Sequence, residues 1–271
     1  MPKNKKGTYI MSIYTHSYSV ILDDMDLNGY RLKPISAIKY MQDAFARFSA
    51  TKHMAAYDLF PKNLYWVIAE LNMEFTAVLP FWSQEIKVEI WISELTALKI
   101  YTDFRLYYGN TLFAKGNGCW FILDQNTHRP VKTDIVAEAF DICNEKAMGE
   151  HSKFSIEKAV EKISSLQHTI NLSDIDFNSH VNNKSYITVA EATMSDDFKK
   201  ENLLKDIRIS FKRETFLGDT IACSTSSTAV ANTYIHHLAK DEAPVCDIQT
   251  TWEKRGKEES ILDWSIRDSN P

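Results

Sequence analysis

Asp174-Ile175-Asp176-Phe177-Asn178-Ser179-His180 repeats, 150 residues on, the pattern of Asp24-Met25-Asp26-Leu27-Asn28-Gly29-Tyr30. Both copies read Asp-x-Asp-x-Asn. Each follows a strand-like run, Tyr18 to Leu22 in the first and His168 to Leu172 in the second. Each precedes a stretch with apolar residues three and four apart. In the first these are Ile38, Met41, Ala44, Phe45 and Phe48; in the second, Tyr186, Ile187, Ala190 and Met194. That spacing predicts a helix with one buried face. A motif that recurs with its flanking elements points to a duplicated unit.

Outward from the motif the two halves keep matching. Leu71-Asn72-Met73-Glu74-Phe75 answers Ile207-Arg208-Ile209-Ser210-Phe211. Alternating strand candidates follow at 84–93, 99–108 and 111–123, and again at 220–228, 232–238 and 246–253. Each half therefore reads as a strand, a helix and four more strands, and a long helix beside an antiparallel sheet is an α+β arrangement. The expected organisation is a first domain over 11–129, a linker over 130–164 and a second domain over 165–268. The linker carries charge and helical spacing at Ile156, Val160 and Ile163. It is too long for a turn and fits a crossing that sets two similar halves side by side.

Composition removes several chemistries. The chain has 271 residues, 31 Lys and Arg against 36 Asp and Glu, and a formal charge of −5. A basic footprint for nucleic acid is absent. Only 8 glycines occur, and none are spaced for a nucleophile elbow or a phosphate loop. Gly116-Asn117-Gly118 begins a dinucleotide fingerprint, but Phe121 takes its third place. His-Glu-x-x-His is missing, and the four cysteines, Cys119, Cys143, Cys223 and Cys246, form no Cys-x-x-Cys pair. No metal and no cofactor are expected. Wide cysteine spacing without a secretory pattern predicts free thiols in the cytoplasm. No stretch approaches the roughly 20 apolar residues of a membrane span.

The halves differ where chemistry matters: the second copy ends in His180, the first in Tyr30. In an extended segment Asp176, Asn178 and His180 point to one side. A carboxylate, an amide and an imidazole then converge just before a helix capped by Asn182 or Asn183. An imidazole takes a proton from water near neutral pH, and the helix's first N–H groups can hold an oxyanion. The same residues also suit a plain polar turn before a helix. Asp26 and Asn28 keep the pattern without the histidine. His16, His53, His128, His151, His168, His236 and His237 show no partner pattern and read as structural or surface.

From about Tyr14 to Arg255 the chain resembles the acyl-acyl-carrier-protein thioesterases, the plant-type family with bacterial members that ends fatty-acid synthesis. The residues that carry the resemblance are 174–183 with Tyr186-Ile187, then Trp66-Val67-Ile68-Ala69-Glu70, Leu79-Pro80-Phe81-Trp82, and Trp120-Phe121-Ile122-Leu123-Asp124 with Arg129-Pro130. The resemblance implies two tandem hot-dog domains with the site in the second. It implies catalytic roles for Asp176, Asn178, His180 and Glu214, the last through the pair Arg213-Glu214. Plant members carry a cysteine directly after that glutamate, and Thr215 stands in its place here. Direct attack by water, with His180 and Glu214 activating it, is therefore preferred over a thiolate route. In a regular strand Glu214 would leave the face of Ile207, Ile209 and Phe211. It reaches the site if the strand ends or bulges, or if its other face abuts the other half.

The first half is expected to build an acyl tunnel from Met41, Phe45, Phe48, Tyr65, Val67, Met73 and Phe75. Lys199, Lys200, Lys205, Arg208, Lys212 and Arg213 are expected to steer an acidic carrier protein to the site. A monomer or a homodimer suits the tandem halves. Two other functions share these residues: an acyl-coenzyme A thioesterase, and a hot-dog protein that binds acyl chains without hydrolysing them.

Overall fold

The structure is a computed structural model and describes residues 13–26, 31–76, 79–151, 153–176 and 180–255. In the first half β1 (Tyr14–Ser19) leads to α1 (Pro34–Ala50), the short α2 (Ala56–Leu59), and β2 (Leu64–Phe75), β3 (Glu85–Leu95), β4 (Ile100–Tyr108) and β5 (Thr111–Asp124). After α3 (Asp134–Ala139), the second half runs β6 (Ala159–Thr169), α4 (Asn183–Ala192), α5 (Asp196–Glu201), β7 (Asn202–Phe211), β8 (Thr220–Thr228), β9 (Thr233–Lys240) and β10 (Ala243–Lys254).

The strands form one antiparallel sheet of ten in the order β1-β3-β4-β5-β2-β7-β10-β9-β8-β6. Counted from each edge inward, each half has its strands in the order first, third, fourth, fifth, second. The halves meet where β2 pairs with β7, from Glu70 opposite Ser210 to Glu74 opposite Asp206. α1 and α4 lie against each other across this seam. The result is two α+β hot-dog units side by side in a continuous sheet, matching the duplication in the sequence and the fold that the resemblance implies.

Sequence explains the packing. Pro34 opens α1, where its missing N–H costs nothing. The apolar face of α1 buries Ile38, Met41, Ala44, Phe45 and Phe48. Phe45 stacks on Trp120 at 4.2 Å and meets Trp66 edge-on at 5.1 Å. Both indoles are satisfied, Trp120 Nε1 donating to Thr102 Oγ1 and Trp66 Nε1 to the Met54 carbonyl. Gly116 on β5 is required by space: a Cβ there would lie 2.2 Å from both the Asn72 carbonyl oxygen and the Phe104 ring.

The duplication extends to the loops. Lys33 N–H donates to Asp24 C=O at 2.8 Å, and Asn182 N–H to Asp174 C=O at 2.7 Å. Asp26 N–H donates to Arg31 C=O, and Asp176 N–H to His180 C=O. Leu32 N–H donates to Pro80 C=O as Val181 N–H does to Thr215 C=O. Met25 bridges Leu32 while Ile175 bridges Val181, so the second loop is one residue shorter. Arg31, not Tyr30, is therefore the counterpart of His180. A fixed offset of 150 could not show the deletion. Tyr30 lies outside the described residues.

The connection between the halves also differs from expectation. β6 begins at Ala159, so the extended chain starts before position 165. Val160 and Ile163 sit on this edge strand, 69% and 49% exposed, and form no helix face. Upstream, the connection crosses the sheet on the face opposite the helices. Trp91 Nε1 donates to Glu145 C=O, Ala147 N–H to Asp103 Oδ1, and Glu157 N–H to Gln249 Oε1 in the second half. His151 Nε2 stands 3.0 Å from Asp103 Oδ2 and 2.9 Å from Ser93 Oγ. Both partners use the same ring nitrogen, so this is a buried anchor and not a serine–histidine–aspartate relay. No helix among the described residues is long and apolar enough to cross a membrane.

Candidate active site

His180 ends a tight turn before α4. Ile175 and Val181 pair antiparallel, and His180 N–H donates to Asp176 Oδ1 at 3.3 Å while Asp176 N–H donates to His180 C=O. Asp176 and His180 thus pair antiparallel and do not share one side of a single extended run, the arrangement that the sequence predicts; residues 177–179 lie outside the described residues. Carboxylates commonly close turns in this way. Asn178 lies outside the described residues. Asn182 is the cap of α4, accepting from Lys184 N–H at 3.0 Å. The turn is braced from below by the buried Asp174, which accepts from Asn171 N–H and from His168 Nε2 at 2.9 Å. Burial pushes the Asp174 carboxyl up, but the Asn171 N–H and His168 outweigh it and hold it below the usual range.

Glu214 reaches this turn because β7 ends at Phe211. Lys212 N–H and Arg213 N–H both donate to the single Val245 carbonyl, which breaks the strand's alternation. Of the routes by which Glu214 could reach the site, a strand that ends is the one found, β7 stopping three residues before it. Glu214 Oε2 stands 3.9 Å from His180 Nε2. That is longer than a hydrogen bond and within reach of one proton transfer after slight closure. Their side chains are 35% and 34% exposed, so water reaches both.

Thr215 points the other way. It is fully buried, and its hydroxyl hydrogen-bonds Tyr186 Oη of α4 at 2.8 Å. Burial disfavours the thiolate of the second half's cysteines: it pushes the Cys223 thiol to about 12 and the Cys246 thiol well above its ordinary value. No group of three or more His, Cys, Asp or Glu side chains suited to a metal ion stands together among the described residues.

The expected tunnel residues divide. Met41, Phe45, Phe48, Met73 and Phe75 are buried together between α1 and the sheet. Tyr65 and Val67 alternate with the core residues Trp66 and Ile68 and are half-buried on the opposite side of β2. The Tyr65 ring stands 6.2 Å from the His180 ring, and Phe216 flanks His180 at 5.9 Å. Tyr65 also shares a 3.2 Å hydrogen bond with His128 Nδ1. His128 therefore belongs to this neighbourhood. Alternation along 64–68 was the available signal for Tyr65; nothing in the sequence marked His128.

The six basic residues form a cluster in sequence and not in space. Lys199 and Lys200 lie on α5, and Lys212 and Arg213 lie beyond the far end of β7, whose 10 residues span ~33 Å. Lys199, Lys200, Lys205 and Arg208 pair with Asp196, Asp197, Glu253 and Asp206. Lys212 pairs with Asp247. Only Lys212 and Arg213 adjoin Glu214.

The equivalent place in the first half is filled by other chemistry. Arg31 stacks on Phe81 at 4.0 Å and donates to the Leu79 carbonyl at 2.9 Å. Leu79-Pro80-Phe81 stands where the second half has Glu214-Thr215-Phe216. Among the described residues, no imidazole stands at Arg31's position and no carboxylate at Leu79's.

Two family descriptions match the chain: the acyl-ACP thioesterase N-terminal domain over residues 11–140, and the acyl-ACP thioesterase C-terminal domain over residues 157–254. The chain belongs to the acyl-ACP thioesterase family. Among curated proteins it is 23% identical over 179 residues to oleoyl-acyl carrier protein thioesterase 1 of Arabidopsis thaliana, covering 62% of this chain and 49% of that one. It is 24% identical over 191 residues to the palmitoyl-acyl carrier protein thioesterase of the same plant, covering 67% and 45%. The chain thus spans about half the length of the curated relatives it matches. Among solved structures, an acyl-ACP thioesterase from Bacteroides thetaiotaomicron superposes with a TM-score of 0.78 at 21% identity, covering 89% of this chain and 98% of that one. The 12:0-ACP thioesterase from Umbellularia californica gives 0.74 at 15% identity, covering 90% and 98%. At these identities the likeness speaks for the fold alone.

Proposed function

We propose that this protein hydrolyses the thioester of an acyl carrier protein carrying a fatty acyl chain, and releases free fatty acid and carrier thiol. One observation carries the reading. Two chemically suited groups 34 positions apart, His180 and Glu214, are brought to 3.9 Å at the start of α4 by a turn and a strand end, open to water. Family membership supports the substrate class.

Water attacks the thioester carbonyl carbon, and the carbonyl π electrons move to oxygen. The water's proton passes to the His180–Glu214 pair. The tetrahedral intermediate collapses, the C–S bond breaks, and the thiolate leaves and takes up a proton. Asp176 holds the His180 backbone, and Asn178, by its place in the motif, orients the water. Thr215 keeps Glu214 in place through Tyr186 and does not attack. No cofactor is needed for these steps.

The acyl chain extends towards the first half, whose core residues Met41, Phe45, Phe48, Met73 and Phe75 set the room available. Val67 lies on the other side of β2 and is a poorer candidate. Lys212 and Arg213, beside Glu214, are the strongest candidates for contact with an acidic carrier protein; the other four basic residues lie further along β7 and α5. The tandem halves supply in one chain the pairing of two hot-dog units, so a monomer suffices. The free, buried thiols suit the cytosol. The test is thiol release from matched acyl-carrier-protein and acyl-coenzyme A panels. A much higher kcat/KM for the carrier series supports the reading. Preference for coenzyme A esters reassigns the substrate, and binding without release makes this an acyl-binding protein.

A further inference from the structure

We propose that Tyr65, held by His128, completes the site from the first half by donating a hydrogen bond to the oxyanion formed at His180 and Glu214. The inference rests on the thioesterase reading above and adds a catalytic group to it. His180 and Glu214 supply a path for the water's proton. The negative charge that develops on the carbonyl oxygen needs a donor of its own; an imidazole–carboxylate pair busy with the proton does not provide one, and of the first N–H groups of α4 those of Lys184 and Ser185 are already taken by Asn182.

Tyr65 meets the requirements. It lies at the start of β2, beyond the last pairing of β2 with β7, where Glu70 faces Ser210. That places it beside the irregular stretch that carries Glu214. Its ring is 6.2 Å from the His180 ring, tilted by 50°. It is half-buried, while His180 and Glu214 are about one third exposed. A carbonyl group beside the His180–Glu214 pair therefore has Tyr65 along one of its sides. His128, on the turn after β5, hydrogen-bonds the phenol oxygen at 3.2 Å. In the tautomer with its proton on Nδ1, His128 donates to that oxygen and leaves the phenol proton free to face the site. Burial and the Glu214 carboxylate both push the phenol pKa up, so the group remains a donor throughout the working pH range. During reaction Tyr65 donates a hydrogen bond and transfers no proton.

The corresponding turn of the first half receives a different donor, Arg255 of the second half, which pairs with Asp26 at 3.4 Å. The proposal explains why a half that lacks a counterpart of His180 is still needed by the other: it supplies a donor as well as a wall. His128→Ala acts only through Tyr65, so His128 is a positioning residue.

The experiment compares wild type with Tyr65→Phe, His128→Ala, the double variant and His180→Ala, using acyl-carrier-protein substrate across pH 5 to 9. Tyr65→Phe keeps the ring, and an unchanged thermal midpoint verifies its fold. Expected is a fall in kcat of at least about tenfold in Tyr65→Phe with little change in KM, and an unmoved acid limb of the pH profile. His128→Ala should lose less, and the double variant should be no worse than Tyr65→Phe alone. Wild-type kcat in Tyr65→Phe overturns the proposal, as does a change confined to KM or a shifted acid limb. Full activity in His180→Ala would instead overturn the underlying assignment of the site, whatever Tyr65 does.

Discussion

Thr215 occupies the position next to Glu214 where a nucleophile would be looked for, and its surroundings say otherwise. With its hydroxyl buried on Tyr186 Oη, it ties the strand end to α4. Thr215→Cys should stay within about threefold of wild-type kcat, because no thiolate attack is involved. Thr215→Val strands the buried Tyr186 hydroxyl and should cost ~1–3 kcal/mol in urea unfolding. His236 offers a second test at this scale. It is fully buried, with Nδ1 on Thr225 and Nε2 on Thr250, and burial pulls its pKa down to about 4. The unfolded chain, near the ordinary ~6.5, binds a proton that the folded protein refuses. Stability from this group is complete above pH 6.5 and declines as pH falls towards 4, by on the order of 3 kcal/mol. Urea midpoints at pH 7 and 4.5 should show this fall, and His236→Gln should flatten it.

The α4 cap and the α1 face carry the predictions that belong to elements. Asn182→Ala should cost ~1 kcal/mol in urea unfolding, because Lys184 N–H loses its side-chain acceptor, and should leave kcat nearly unchanged, because the bond from Asn182 N–H to Asp174 C=O is backbone and survives. Met41→Trp, on the buried face of α1, should shift the preference of thiol release towards shorter acyl chains; an unchanged profile would place the acyl chain elsewhere. These elements were legible because their signals are local. The apolar periodicity of α1, the alternation of β3, β4 and β8, and the Asn182 cap all follow from neighbouring residues. The errors arose where tertiary pairing decides. Val160 and Ile163 have helical spacing, yet edge pairing with β8 makes them strand. Arg31 replaced Tyr30 as the counterpart of His180 because backbone bonds, not offsets, set the register. Asp176 and His180 pair antiparallel, since a carboxylate closing on an N–H competes well with an extended run. By residue type Tyr65 reads as an acyl-tunnel residue, while its alternation with Trp66 sets it on the other side of β2, beside His180.

The continuous sheet makes the molecule one cooperative object. β2 and β7 share backbone bonds, α1 rests on α4, and Arg255 at the end of β10 pairs with Asp26 of the first half at 3.4 Å. Calorimetry should show a single unfolding transition, and two separate ones would mean the seam is weak. The same seam brings Tyr65 to His180, so chemistry in the second half depends on the first. The most direct test of the whole is single-turnover thiol release from acyl-carrier-protein substrate by wild type, His180→Ala and Glu214→Gln. Water attack assisted by this pair predicts smooth release without a burst in wild type, and losses of about 10²–10⁴-fold in each variant with substrate still bound. A burst of thiol ahead of free acid, or near-wild-type release in either variant, would contradict it.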